Sequence, residues 1–455
     1  MDIKEEKNFW LPPAPPSFGH HPGFLNDFGD RWQKALESSQ LSAAEGKQVG
    51  LSELYNPLHP EVYVIPRDKH INVVDSFGDS IGFERITFPF SSTDFYVDID
   101  EKGIYNDLCC NAAFHRLGQI SQLGYLVPPW PEGWEKNVSI VYTTPQFHHT
   151  RWIHSLLVAI LADVVMARNG FTISKRAPVI LAFGCHDLAT PVGGDSVKRV
   201  DPVNLDEEAN FTWSIRHYGL DRKWKRLGFN VKEAQKVVMN EGVLGKFLDI
   251  EDKIAYTALD CRSVGMLRPG KIRDLCVENP LIMDIWQDIR FSEQKDSFIF
   301  INPDRLFNFL LLRAYEFQEF LFNPYSRALD LYLKNMVQPL YEKGLITKED
   351  LLTNGDMWLE NFLKKDNPEL AKCYIEPENL SCRKFNTEGE QKKFAAEMGK
   401  RVDHLEHLSG FSSGLDWKVL DFGGTCLREA VSKEKVELLE EVIASTKGYY
   451  VYYSV

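Results

Sequence analysis

The chain has 455 residues, 44% of them apolar and 12% aromatic, and a formal net charge of −13. That suffices for a large core, in two or three domains or one helical body with appendages, and the acidic balance excludes a general duplex-nucleic-acid binder while allowing a small anionic substrate in a locally positive pocket. No run of eighteen uncharged apolar residues occurs, Met1-Asp2-Ile3-Lys4-Glu5-Glu6 has no signal-peptide pattern, and the cysteines at 109, 110, 185, 261, 276, 373, 382 and 426 show neither C-x-x-C nor zinc-ribbon spacing. These features predict a soluble, cytoplasmic protein with reduced, mostly buried thiols and no membrane partner.

Residues 1–50 open with Leu11-Pro12-Pro13-Ala14-Pro15-Pro16, which cannot be helical and reads as an extended arm, followed by a short helix over Asp27 to Ser39. Short β-branched runs, Glu61 to Ile65 and Ile71 to Val74, suggest strands, and Tyr96 to Tyr105 reads as a strand and turn. From Asn106 the pattern is helical. Asn111 to Leu123 is amphipathic through Phe114, Leu117, Ile120 and Leu123. After a Pro-Trp loop at 128–131, the most apolar helix is predicted over Thr150 to Asn169, with Gly170 as its stop. Val179 to His186 is apolar and short enough to be helix or strand. Residues 189–205, with Gly193-Gly194 and two prolines, are predicted as loop. Helices then fill 206–340, including one from Arg305 to Phe322 after Asn302-Pro303-Asp304. In the tail, helices are expected over Glu388 to His407 and Lys433 to Ser445, with a closing strand at Tyr449 to Tyr453. We read three regions: 1–94 as an arm with a small α/β extension, 95–340 as a helical core, and 341–455 as a mostly helical region.

Four side chains draw attention. His154 sits in an otherwise apolar helix, three residues after Arg151 and so on the same face. A guanidinium and an imidazole aimed the same way suit a metal beside an anionic oxygen, although a lone core histidine would explain His154 by itself. His186-Asp187 ends an apolar run; adjacent residues meet one ion only at a helix end or distortion, which the following Pro191 and Gly193 can supply. Asp252, Tyr256 and Asp260 fall at i, i+4 and i+8, one face of one helix that drifts by roughly 40° over that length. A carboxylate-phenol-carboxylate face between apolar residues suits a cavity wall, and a solvated stripe is the competing reading. Two imidazoles with carboxylates make a mixed N/O donor set for iron, manganese, nickel, zinc or magnesium.

The order His154, His186-Asp187, Asp252 resembles the HD-domain metal phosphohydrolases, an all-helical fold with the metal in its core. Over residues 96 to 330 the likeness is greatest to the deoxynucleoside triphosphate triphosphohydrolase branch, which includes the dGTPases and the animal SAM- and HD-domain enzyme. It rests on Asn111 to Leu117 through Gln122-Leu123-Gly124, Arg151-x-x-His154-Ser155-Leu156, His186-Asp187-Leu188, Asp252-Lys253-x-x-Tyr256-x-x-x-Asp260 and Arg313-Ala314-Tyr315.

The resemblance implies a mainly α fold with short β elements near both ends and one divalent ion held by His154, His186, Asp187 and Asp252. It implies phosphate contacts from Arg151 and Lys253, a sugar site formed by Gln122, Leu123, Tyr256 and Asp260, and a base contact from Tyr315. The implied reaction is attack of a metal-bound hydroxide on the α-phosphorus of a dNTP, releasing deoxynucleoside and triphosphate, in a homo-oligomer. One departure stands out. The histidines expected after the His-Asp pair are missing, which leaves Asp195 and Glu208 as candidate general acids and disfavours two-iron oxygenase chemistry. A nucleotide sensor with little turnover, and a phosphatase acting on a nucleoside monophosphate or another phosphoester, are the alternatives. The activator site of the animal enzyme is not recognisable.

Overall fold

The computed structural model describes residues 62–66, 83–98, 103–122, 149–264, 270–292, 296–366, 380–419 and 425–454, all within one compact unit. The expected N-terminal arm and first helix, the Ile71 to Val74 run, the Pro-Trp loop and Leu123 lie outside the described residues. The fold is mainly α with short antiparallel strands, as expected. Among the described residues no helix is long and apolar enough to cross a membrane.

A three-stranded sheet in the order β1 (Val62–Pro66), β3 (Thr93–Asp98), β2 (Phe83–Ile86) precedes the helices. Of the strand and turn expected over Tyr96 to Tyr105, the strand ends at Asp98, and Tyr105 is helical: α1 (Ile104–Cys109) seats its ring in the core, where its hydroxyl bonds Asp163. Next, α2 (Ala112–Leu117) is shorter than the amphipathic pattern predicted. Its Asn111 side chain caps Ala113 N, but beyond Leu117 the bonding tightens to i→i−3 and Arg151 N donates to Ile120 O. Ile120 is still buried, so the apolar spacing was satisfied by a turn instead of a helix.

The centre of the molecule is α3 (Arg151–Arg168), buried almost throughout because its apolar residues cover every face. Against it pack α4 (Ile173–Gly184) and a later 23-residue helix. Val179 to His186 is thus helical up to Gly184, where a Cβ would lie 3.1 Å from the Leu108 side chain; glycine allows this close approach of α4 to α1. The expected loop at 189–205 contains one turn of helix, α5 (Gly194–Lys198), entered through two left-handed glycines, Gly193 (φ 73°) and Gly194 (φ 56°).

The chain continues through α6 (Glu207–His217), α7 (Val231–Val238), the long α8 (Gly242–Val264) and α9 (Lys271–Glu278). A hairpin, β4 (Ile289–Ser292) with β5 (Ser297–Phe300), interrupts the region read as wholly helical; its Phe291 and Phe298 pair across the strands. The helix α10 (Pro303–Glu316) starts at the expected cap, where Asn302 accepts from Arg305 N, but ends six residues before Phe322 in a π-helical turn at Phe317–Leu321.

Beyond it lie α11 (Pro324–Glu342), α12 (Lys348–Thr353) and α13 (Asp356–Asp366). A second three-stranded sheet, in the order β6 (Leu380–Phe385), β8 (Gly448–Ser454), β7 (Val402–Leu408), closes the chain with α14 (Glu388–Met398) and α15 (Lys433–Thr446). The predicted helix from Glu388 to His407 therefore breaks at Gly399 (φ 59°), and its second half becomes a strand because β8 offers it a pairing edge.

Candidate metal centre

His154 and Asp252 reach the same point from α3 and α8, and His186 reaches it from the turn just after α4. His154 Nε2 lies 3.2 Å from His186 Nε2 and 3.0 Å from Asp252 Oδ1, and His186 Nε2 lies 3.3 Å from that same oxygen. These three side chains form a group able to hold a metal ion. Asp187 Oδ2 sits beside them, 3.6 Å from His154 Nε2 and 3.7 Å from His186 Nε2, while accepting a 2.8 Å bond from Arg151 Nη1. The sharp end of α4 at Gly184 lets two consecutive residues face one centre.

The donor set fits a cation. His186 Nδ1 lies 2.7 Å from Phe183 O, an acceptor only, so Nδ1 carries a proton and Nε2 is the nitrogen turned to the centre. His154 Nδ1 is buried with no partner among the described residues. Two imidazole nitrogens at van der Waals distance or closer, with carboxylate oxygens around them, are stable only when a proton or a metal ion sits between them.

The electrostatics agree. Burial opposes charge on His186, but Asp187 and Asp252 overrule it and raise its pKa to about 9. Burial lowers the His154 pKa, against the opposing pull of Asp252 and Asp187. Asp187 is held at about 2: burial works against its ionisation, and Arg151 and the two imidazoles outweigh that cost. Asp252 likewise falls well below the carboxylate range despite burial, through its bonds to both histidines.

The group opens on a cleft of about 610 Å³. Of the residues expected there, Gln122, Arg151, Tyr256, Asp260, Asp195 and Glu208 do line it; Lys253 and Tyr315 do not. Lys253 pairs with Asp249 one turn earlier and lies over the Trp417 ring, and Tyr315 packs partly buried against the core. Gln122 Oε1 is buried without a partner among the described residues. Tyr256 accepts a hydrogen bond from Arg313 Nε, and Arg313 Nη1 donates to Ser412 O at 2.8 Å, so Arg313 sets the phenol's position. Asp195 is exposed, with Arg151 Nη2 3.7 Å away, and burial raises the Glu208 carboxyl.

Sequence reading missed three groups. His149 Nε2 lies 3.2 Å from Asp260 Oδ1; burial and the nearby Arg151 and Arg262 charges hold His149 at about 3, and burial lifts Asp260 above the usual carboxylate range. The one signal for it in the chain was a histidine two residues before Arg151. Glu207, more enclosed than Asp195, carries a carboxyl raised by burial and pairs with Lys198 at 2.8 Å. Phe317 and Leu321 of the π-helical turn, with Phe322 just after it, add apolar side chains to the cleft lining, which also includes the ion-paired Arg327 and Asp330.

No family model matches the chain, and no curated protein sequence matches it. Solved structures do. A hypothetical protein from Aquifex aeolicus superposes with a TM-score of 0.61 at 17% identity, covering 82% of this chain and 96% of its own. A phosphohydrolase from Bacteroides thetaiotaomicron superposes with a TM-score of 0.58 at 16% identity, covering 82% of this chain and 100% of its own. At such identities the likeness is one of architecture: the protein shares the fold of these two structures.

Proposed function

We propose that the protein is a metal-dependent phosphohydrolase acting on a nucleotide, and that its substrate is a dNTP cleaved to deoxynucleoside and triphosphate. The observation that carries this reading is the convergence of His154, His186 and Asp252 at one point, with His186 and Asp252 lining a cleft; the phosphohydrolase from Bacteroides thetaiotaomicron, with the same fold, supports it. Asp187 is the fourth ligand in this reading. A divalent ion held there would polarise a phosphoryl oxygen and make water a nucleophile near neutral pH. The chain's own groups do the rest. Arg151 orients Asp187 and offers its remaining N–H groups to a phosphate. Tyr256, kept in place by Arg313, packs beneath the sugar, and Asp260 with Gln122 bonds its hydroxyl. Asp195 or Glu208 gives the leaving oxygen its proton, and Glu207 is a third carboxyl within the same cleft.

One observation favours a less charged substrate. Eight carboxylates line the cleft against four Lys and Arg side chains. Near the metal group, Arg151 is engaged by Asp187, and Lys198 by Asp206 and Glu207. A nucleoside monophosphate or another monoester meets less repulsion there than a triphosphate. Incubation with each dNTP, NTP and nucleoside monophosphate, with Mn²⁺, Fe²⁺ or Mg²⁺ and chromatographic product analysis, separates the readings. Triphosphate plus deoxynucleoside supports the first, and inorganic phosphate the second. Tight binding without product would instead make the protein a nucleotide sensor. A homo-oligomer belongs to the same proposal, and light scattering tests it.

A further inference from the structure

The segment joining α12 to α13 contributes no residue to the cleft, yet it is bonded to two chain segments that adjoin the lining residues Gln122, Asp187 and Asp195. Arg116, on α2, is buried and spends its guanidinium on backbone carbonyls from two directions. Nη1 donates to Leu188 O at 3.2 Å and Nη2 to Thr190 O at 2.6 Å, in the stretch that follows His186-Asp187. Nε donates to Asn354 O at 3.0 Å and Nη2 also to Leu351 O at 3.3 Å.

Asp356, the first residue of α13, makes the matching contacts. Its Oδ1 accepts from Gly193 N and its Oδ2 from Ser121 N, both at 2.8 Å, and its own N–H donates to Gln119 O at 3.0 Å. Val192 N donates to Leu351 O at 2.9 Å. Gly355 between them lies so close to Gln119 that a Cβ would come within 2.6 Å of its side chain.

We propose that Arg116 and Asp356 are positioning residues, which latch the 351–356 turn onto residues 188–193 and 119–121 and thereby set Asp187, Asp195 and Gln122 in the cleft. Three features support a role beyond general stability. The bonds end on main-chain groups, so they fix backbone position and not merely side-chain packing. They flank the segment on both sides, Leu188 and Thr190 after the ligand pair and Gly193 before Asp195. Thr190 itself contacts Asp187, its Oγ1 donating to Oδ1 at 3.4 Å, so displacement of Thr190 moves that carboxylate. Outer contacts that orient metal ligands typically change metal affinity by about 10–100-fold when removed. The C-terminal helices are thus part of the site's machinery, although Leu351 stands 235 positions from Arg116 in the chain. The role in metal binding rests on the proposed metal centre; the latch does not.

Two variants test it: Arg116→Lys, which keeps the charge and loses the fork of bonds, and Asp356→Asn, which leaves one of the two amide N–H groups without an acceptor. Hydrogen–deuterium exchange on the full chain reads the latch itself. The expected result is about tenfold or faster exchange at Thr190, Val192 and Gly193 with α3 unchanged. Mn²⁺ titration followed by electron paramagnetic resonance is expected to show affinity lowered about tenfold or more in both variants. Unchanged exchange at residues 188–193 overturns the latch. Faster exchange with Mn²⁺ affinity within about twofold of wild type, beside a lower melting temperature, would make both residues structural only and overturn the positioning role. Failure of wild type to bind Mn²⁺ would count against the metal centre and thus against positioning, while exchange still decides the latch.

Discussion

Removing the charge of Asp187 gives a direct measure of the site's electrostatics. In Asp187→Asn the side chain keeps its shape and loses its charge beside Arg151, whose guanidinium is almost wholly enclosed and whose second ion-pair partner among the described residues is the exposed Asp195 at 3.7 Å. The Asp187 carboxyl is held at about 2 against an ordinary 3.8. A carboxyl with a depressed folded-state pKa stabilises the fold above its unfolded pKa, and that contribution is lost as the pH falls towards the folded value. The difference corresponds to about 2 kcal/mol at pH 7 and falls to about half of that by pH 3. Urea unfolding of metal-free wild type and Asp187→Asn at pH 7 and at pH 3 is the assay, metal being removed so that ligand loss does not enter. The expected result is a variant less stable by about 2 kcal/mol at pH 7, with the gap narrowing in acid. A variant within about 0.5 kcal/mol of wild type at pH 7 would refute the assignment of Asp187 as the counter-charge of Arg151.

Other consequences are open to measurement. His154→Ala and Asp252→Ala each remove one donor from the group, so both should abolish stoichiometric Mn²⁺ binding in a calorimetric titration, with Lys253→Ala leaving it intact. If Asp195 is the general acid, Asp195→Asn should lower kcat by about 10²–10⁴-fold with KM little changed; full retention of activity removes it from the mechanism and directs attention to Glu207 and Glu208. Burial raises the Asp356 carboxyl to about 6, so this group favours folding below pH 3.8 and that advantage is lost as the pH rises through 6, a span of about 3 kcal/mol. The stability of Asp356→Asn should therefore lack that downward slope between pH 4 and 6, and parallel slopes in urea unfolding would contradict it. Leu157→Ala, in the fully buried heart of α3, should cost about 2–5 kcal/mol in the same assay.

Patterns internal to one helix are legible from neighbouring residues alone. The Asp252, Tyr256 and Asp260 spacing depends only on helical periodicity, and all three line the cleft on α8. Arg151 and His154 share the first turn of α3 for the same reason, and caps such as Asn302 show in the local residues. Where a local pattern admitted two outcomes, the partner decided. Residues 402–408 carry helix-compatible spacing, but β8 was there to pair with them; Ile120 was buried by a turn where a helix would have buried it equally well. Lys253 sits at a position that suits a phosphate contact, yet Asp249 one turn back takes its ammonium.

The sequence by itself determined a mainly α body with a His, His-Asp, Asp donor set, because helix periodicity, capping and residue chemistry act over a few neighbours. Only the tertiary structure decided which of those donors converge, how Asp187 divides its carboxylate between Arg151 and the imidazoles, and that Arg116 and Asp356 bind segments more than 160 residues away in the chain. Such contacts join groups with no periodic relation to one another; packing brings the start of α3, the end of α4 and the middle of α8 to one place, and sets the turn between α12 and α13 against the residues that follow His186-Asp187.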